Sequence, residues 1–200
     1  MPASSVRIKH WTRVEYERLI DLGAFAPDER LELLGGQMVV REPQDRPHAT
    51  SIRLVARALR AVFGPDWTIE AQLPVALDEA SEPEPDIAVV TGGPRDYVES
   101  HPSRPELVVE VALASLALDR GEKASLYARS GVADYWIVNL VDNVLEVYRE
   151  PVADPRGAYG WRYASTTTLR RGDSVTPLAR PDSAIPISDL LHESRSPTGG

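Results

Sequence analysis

The run LVVEVAL, residues 107–113, constrains this chain more than any other stretch. It is short, almost wholly apolar and rich in β-branched residues, and Pro105 and Ser115 bound it, so it reads as a strand buried on both faces of a sheet. Yet Glu110 stands in its middle. A carboxylate in such a strand must find a cation or an arginine or lysine partner, because an unpaired one would cost several kcal/mol or be driven neutral. Alone, Glu110 fits a buried salt bridge or a strand end open to solvent as well as it fits a ligand.

A second run of the same kind, DIAVV at residues 86–90, follows Pro83 and Pro85. If the two strands are neighbours, Asp86 and Glu110 face one spot. Like charges that close require something positive between them, and carboxylate oxygens with water are what Mg²⁺ accepts. Taken singly, Asp86 also fits a turn aspartate after proline. Lys123 follows on a helix just beyond the Glu110 strand. A crossover can return its ammonium over the strand end, where such a lysine orients an attacking water and offsets charge on a phosphate. A pairing with Asp119, one turn earlier on a solvated face, is the alternative.

These strands sit in a mixed order of elements. Thr12 to Leu22 reads as a helix, with Thr12 and Glu15 as a capping box and Val14, Leu19 and Leu22 as its stripe. RLELLGGQMVV reads as a hairpin about Gly35-Gly36, with Glu32 on its first arm. His48 to Phe63 is a helix with Ile52, Val55, Leu59 and Val62 on one side and Arg53, Arg57 and Arg60 on the other. WTIEAQLPVAL reads as a strand, Asp119 to Arg129 as a helix stopped by Gly131, and YWIVNLVDNVLEVYRE as two strands joined at residues 141–143. PVADPRGAYG is expected to be a loop and WRYASTTTLRRGDSV a β extension. The whole predicts one α/β domain over residues 1–190, a mixed sheet flanked by helices, with its core at about 14–150, a C-terminal extension at 151–190 and a flexible tail at 191–200.

With no cysteine, the chain carries neither a disulfide nor a thiolate zinc site. The start MPASSVRIKHW has no apolar stretch of a secretory signal, and no run is long enough to span a bilayer, so a cytoplasmic location without membrane association is expected. A net charge of −8 runs against nucleic-acid binding in bulk, although a local basic stripe or a bound cation reverses the field locally. No Gly-rich phosphate loop, Ser-His-Asp signature or second histidine at ligand spacing is found, so no nucleotide cofactor is expected.

EPDIAVV, LVVEVAL and DRGEKASLYARSGVADYWIVN, in this order, resemble the Uma family of restriction endonucleases, within the PD-(D/E)XK nuclease superfamily. The resemblance covers about Tyr16 to Arg149 and takes in Glu32, His48, Gln72, Asp86, Glu110, Asp119, Lys123 and Tyr127. It implies a restriction-endonuclease-like fold in which Asp86 and Glu110 bind Mg²⁺ or Mn²⁺, Lys123 supplies the lysine, and Glu32 supports the site. Three features depart from the pattern. Ala112 stands where the superfamily's lysine usually lies, ALASLAL replaces a Ser/Pro-rich segment, and Asn139 replaces an aspartate.

The expectation is therefore a metal-dependent endonuclease acting on DNA, with a homodimer suited to double-strand cutting. His48, Arg53, Arg57 and Gln72 are candidate nucleic-acid contacts, although the arginines fit a solvated helix face better, since any amphipathic helix needs a polar side. A nuclease-like domain that binds nucleic acid or protein without cutting is the alternative, favoured by the acidic charge. A metal-free two-carboxylate glycosidase ranks last, because no aromatic platform flanks the carboxylates.

Overall fold

The computed structural model describes residues 7–26, 28–41 and 45–192. Its centre is a six-stranded sheet in the order β3-β4-β5-β6-β7-β8, formed by Trp67–Ala71, Ile87–Thr91, Leu107–Ala112, Asp134–Asn139, Val144–Ala153 and Trp161–Leu169. All neighbours run antiparallel except β5 and β6, which are parallel. A parallel pair needs a crossover. It is supplied by a helical segment, α3, that runs through Leu116–Leu118, a π-helical Asp119–Lys123 and Ala124–Arg129. The sheet is thus mixed and flanked by helices, as the element order implies.

The two faces of the sheet divide by residue parity, as the pleat requires. On one face Val109, Val111, Trp136 and Val138 pack with Ile52, Val55 and Leu59 of α2 (Arg46–Phe63). On the other, Val108, Ala112, Tyr135 and Ile137 pack with Ala124, Tyr127 and Ala128 of α3. The first cluster also takes in Val175, Ile185, Ile187, Leu190 and Leu191, so the chain beyond β8 returns to cover the α2 side. There Ser174–Val175 (β9) and Ile185–Pro186 (β10) form a small antiparallel pair.

A separate hairpin, Leu31–Leu34 (β1) with Gln37–Val40 (β2), turns at Gly35 and Gly36. Both glycines have positive φ, and a Cβ at Gly35 would meet the Tyr159 ring, so only glycine fits there. The hairpin is tied to the chain before β4 by backbone bonds between Leu33 and Glu82.

Several expectations are corrected. Helix α1, Arg13–Asp21, has the predicted Thr12–Glu15 capping box, but its buried residue is Tyr16, while Val14 and Leu22 are exposed. Tyr16 serves the interior better because its hydroxyl reaches the Leu31 carbonyl at 2.7 Å. The strand expected over WTIEAQLPVAL stops at Ala71, where Gln72 turns the chain at φ 57° and Pro74 can offer no ladder donor. In the segment expected to be a loop at 151–160, β7 runs on through Ala153. Its pairing with β6 ends at Arg149, so Pro151 lies where β7 has a neighbour on one side only and its missing N–H is tolerated. The tail expected over 191–200 lies outside the described residues from 193 onward.

Candidate active site

The geometry of the site follows from the β4–β5 register. Ile87 lies opposite Val109 and Ala88 opposite Val108, so one residue further along Asp86 comes opposite Glu110. The Asp86 N–H donates to Glu110 Oε2 at 3.4 Å, and the Val111 N–H donates to Asp86 Oδ2 at 2.8 Å. Glu110 has the parity of the α3 face, and α3 meets it there. Lys123 Nζ donates to Glu110 Oε1 at 3.0 Å, and the Tyr127 hydroxyl donates to the same oxygen at 2.7 Å. Lys123 also lies 3.0 Å from Glu32 Oε1 on β1. All four expected site residues, Glu32, Asp86, Glu110 and Lys123, are buried and line one cavity of about 370 Å³.

The π-helical turn at Asp119–Lys123 contributes to this placement. A π segment inserts an extra residue per turn and is frequent at functional sites. Here it buries both Asp119 and Lys123. Lys123 does not pair on a solvated face with Asp119. Asp119 instead accepts from the Ser115 hydroxyl at 2.6 Å and lines the same cavity. The lysine comes from the crossover helix because Ala112, on the strand itself, is fully buried against the apolar cluster under α3.

Asp86 is the most heavily bonded group of the site. His48 Nε2 lies 3.0 Å from Oδ2, and Arg41 Nη2 donates to Oδ1 at 3.2 Å. Gln72 Nε2 reaches the same oxygen at 3.5 Å, and the Gln72 N–H donates to the Asp86 carbonyl at 3.2 Å. His48 is presented by the first turn of α2, where Asp45 accepts its N–H at 2.9 Å and caps the helix. Arg53 and Arg57 lie further along α2 on its exposed side, and neither lines the cavity.

Charge and burial set the protonation of the cluster. Burial raises the Glu110 carboxyl to about 8, with Lys123 opposing the shift and Asp119, Asp86 and Glu32 adding to it. Burial likewise lifts Asp119 to about 6. For Asp86, burial is outweighed by His48, the Val111 N–H and Arg41, and its carboxyl is held below the ordinary range. Lys123 is pushed upward because Glu110, Glu32 and Asp119 outweigh its burial, so it remains an ammonium. Burial, helped by the neighbouring carboxyl groups, thus favours the neutral form of Glu110, while Lys123 stays charged. Among the described residues, no group of three or more His, Asp or Glu side chains is arranged to hold a metal ion.

Arg41 and Ser115 are cavity residues to which reasoning from sequence gave no role, and Asp119 entered it only within the resemblance and as an alternative partner of Lys123. Asp119 and Tyr127 lie four residues either side of Lys123, a spacing that puts side chains on one helix face and was a usable signal. Arg41 had no such signal, because it follows a half-exposed strand and meets Asp86 only through the fold. Asn139 is not in the cavity. It organises the β6–β7 turn by accepting the Val141 and Asp142 N–H groups and donating to Glu146, so its departure from the family pattern has a local structural role.

Comparison with known proteins agrees with the fold. A solved structure described as "a putative nuclease belonging to DUF820", from Anabaena variabilis, is similar with a TM-score of 0.68 at 15% identity. The similarity covers 90% of this chain and 97% of that one. None of the curated proteins matches. Residues 13–188 match the model of the Uma2 family, described as "Putative restriction endonuclease", and the chain belongs to that family.

Proposed function

We propose that the protein is a Mg²⁺-dependent endonuclease of the cytoplasm that hydrolyses DNA phosphodiester bonds, with Mn²⁺ able to substitute. The observation that carries this reading is the opposition of Asp86 and Glu110 across β4 and β5, in a cavity where Lys123 lies 3.0 Å from Glu110. The donor chemistry fits a hard divalent cation. The cavity is lined by five carboxylates, Glu32, Asp45, Asp86, Glu110 and Asp119, against the permanent cations Arg41 and Lys123. Mg²⁺ usually keeps several waters and takes only one or two protein carboxylates, so the absence of a larger ligand group is compatible with it. Asp86 and Glu110 would hold the ion, which when bound lowers the pKa of water and polarises a phosphoryl oxygen.

The chain's own residues supply orientation and charge. Lys123 has three N–H donors, and Glu110 and Glu32 occupy two of them. The third can turn to the cavity, to orient a water or to meet a phosphate oxygen whose negative charge grows during displacement. Glu32 holds the ammonium from the hairpin side and is itself held by the Glu84 N–H at 3.1 Å. Tyr127 fixes Glu110 from the helix side. His48 lines the cavity and Gln72 borders it through Asp86, so both are candidate contacts for an incoming strand, and Arg53 and Arg57 would serve only a long duplex lying along α2. Cutting both strands of DNA would call for a homodimer.

Calorimetric titration of Mg²⁺ into wild type, Asp86→Ala and Glu110→Ala, followed by plasmid cleavage with the same proteins, tests the reading. Metal binding by wild type alone is expected, with cleavage at least about 1,000-fold slower in either variant. Metal binding without cleavage by wild type would redirect the reading to a nuclease-fold binding module. No metal binding would make the carboxylates structural.

A further inference from the structure

Arg41 has a place in the cavity that the proposed chemistry does not use. It follows β2, its side chain is 10% exposed, and its guanidinium divides between Glu84 Oε2 at 3.1 Å and Asp86 Oδ1 at 3.2 Å. Each of these acids has another basic partner. Arg30 lies 3.5 Å from Glu84 Oε2, and His48 lies 3.0 Å from Asp86 Oδ2. Arg41 can therefore leave both without stranding either carboxylate. A cation held by Asp86 and the guanidinium on its Oδ1 would compete for the same negative charge, since like charges at such range repel in a poorly solvated pocket. The planar fork of donors on an arginine also matches a phosphate, and Arg41 lines the same cavity as Asp86, Glu110 and Lys123.

We propose that Arg41 exchanges partners: it neutralises Asp86 while no cation is bound, and turns onto a substrate phosphate when Asp86 takes one. This rests on the reading of Asp86 and Glu110 as the cation's ligands. Arg41 would then link occupancy of the ion to grip on DNA, because the ion's arrival frees the group that holds the phosphate. By the same linkage, DNA that captures Arg41 would favour the ion.

The test is a Mg²⁺ titration, without DNA, of the full-length wild type, Arg41→Ala and Arg41→Lys. It is paired with duplex binding by fluorescence anisotropy over a salt series, with Ca²⁺ in place of Mg²⁺. Arg41→Ala is expected to bind Mg²⁺ about fivefold or more tighter, its competitor gone. It should bind duplex about tenfold weaker, with the salt slope reduced by about one. Arg41→Lys keeps the charge but loses the fork, so its slope should stay while its duplex affinity falls several-fold. Unchanged or weaker Mg²⁺ binding by Arg41→Ala, with wild type binding normally, overturns the exchange and leaves the metal reading intact. Tighter Mg²⁺ binding with an unaltered salt slope also overturns it. If neither wild type nor Arg41→Ala binds Mg²⁺, the exchange and the metal reading fall together. Should Arg41→Ala not fold, Arg41→Lys decides, and wild-type duplex affinity in that variant rejects the proposal.

Discussion

The two faces of the central sheet solve opposite problems with one strand. Val109 and Val111 of β5 enter the apolar cluster beneath α2, whereas Glu110 between them enters the polar cluster beneath α3. The α2 side needs only shape and apolar area, so its order follows from burial. The α3 side buries Glu32, Glu110, Asp119 and Lys123, and these polar groups are tolerated because Lys123 meets Glu32 and Glu110 and the Ser115 hydroxyl meets Asp119. The contrast shows how a period of two lets adjacent residues serve stability and chemistry separately.

The sharpest way to break this contrast is to remove the one cation between two buried acids. Lys123→Ala is expected to cost about 3–5 kcal/mol in urea denaturation, since Glu32 is left without its buried cation and Glu110 loses a hydrogen-bond donor. Lys123→Met combined with Glu110→Gln and Glu32→Gln should recover most of that loss without recovering metal binding. If Lys123→Ala is as stable as wild type, the polar cluster does not depend on its lysine.

The apolar face supplies the control. Leu59 is fully buried in α2, and Leu59→Ala is expected to destabilise by about 2–4 kcal/mol while leaving Mg²⁺ affinity unchanged. A change in metal affinity from that variant would mean that the two faces are coupled through β5.

Glu82 sharpens the comparison on the pH axis, as a buried acid away from the cavity. Arg13 stands 3.9 Å from it, and burial first, then Glu17, raises its carboxyl to about 7. The folded protein thus keeps a proton there that the unfolded chain gives up at its ordinary value of 4.5. The stability this contributes is full below about 4.5 and is lost as pH rises through about 7. The decline attributable to Glu82 is expected to be about 1–3 kcal/mol and to vanish in Glu82→Gln, as measured by denaturation at several pH values. An identical pH profile for the variant would remove Glu82 from the account.

Much of the α2 face was legible because burial leaves a periodic trace: Ile52, Val55 and Leu59 mark the helix, and DIAVV and LVVEVAL mark the strands. The same logic failed for α1, where the pattern pointed to Val14 and Leu22 while Tyr16 is the residue inside. An amphipathic side chain with a polar tip carries little periodic weight, yet it satisfies a carbonyl that leucine cannot.

The site divides in the same way. Glu110 stood out locally, because an acid in an apolar strand contradicts its surroundings; the neighbouring strand and the following helix pointed to Asp86 and Lys123, and resemblance brought in Glu32. The sequence by itself determined the identity of the strands, the presence of a buried acid that needed a partner, and the helix that carries the lysine. Only the tertiary structure decided that Asp86 lies opposite Glu110, that a π turn buries Asp119 together with Lys123, and that Arg41 closes on Asp86 from 45 residues away. Local pattern records whether a residue is buried, since burial acts on each position separately. Register and pairing across strands depend on which segments meet, and that is set by the packing of the whole sheet.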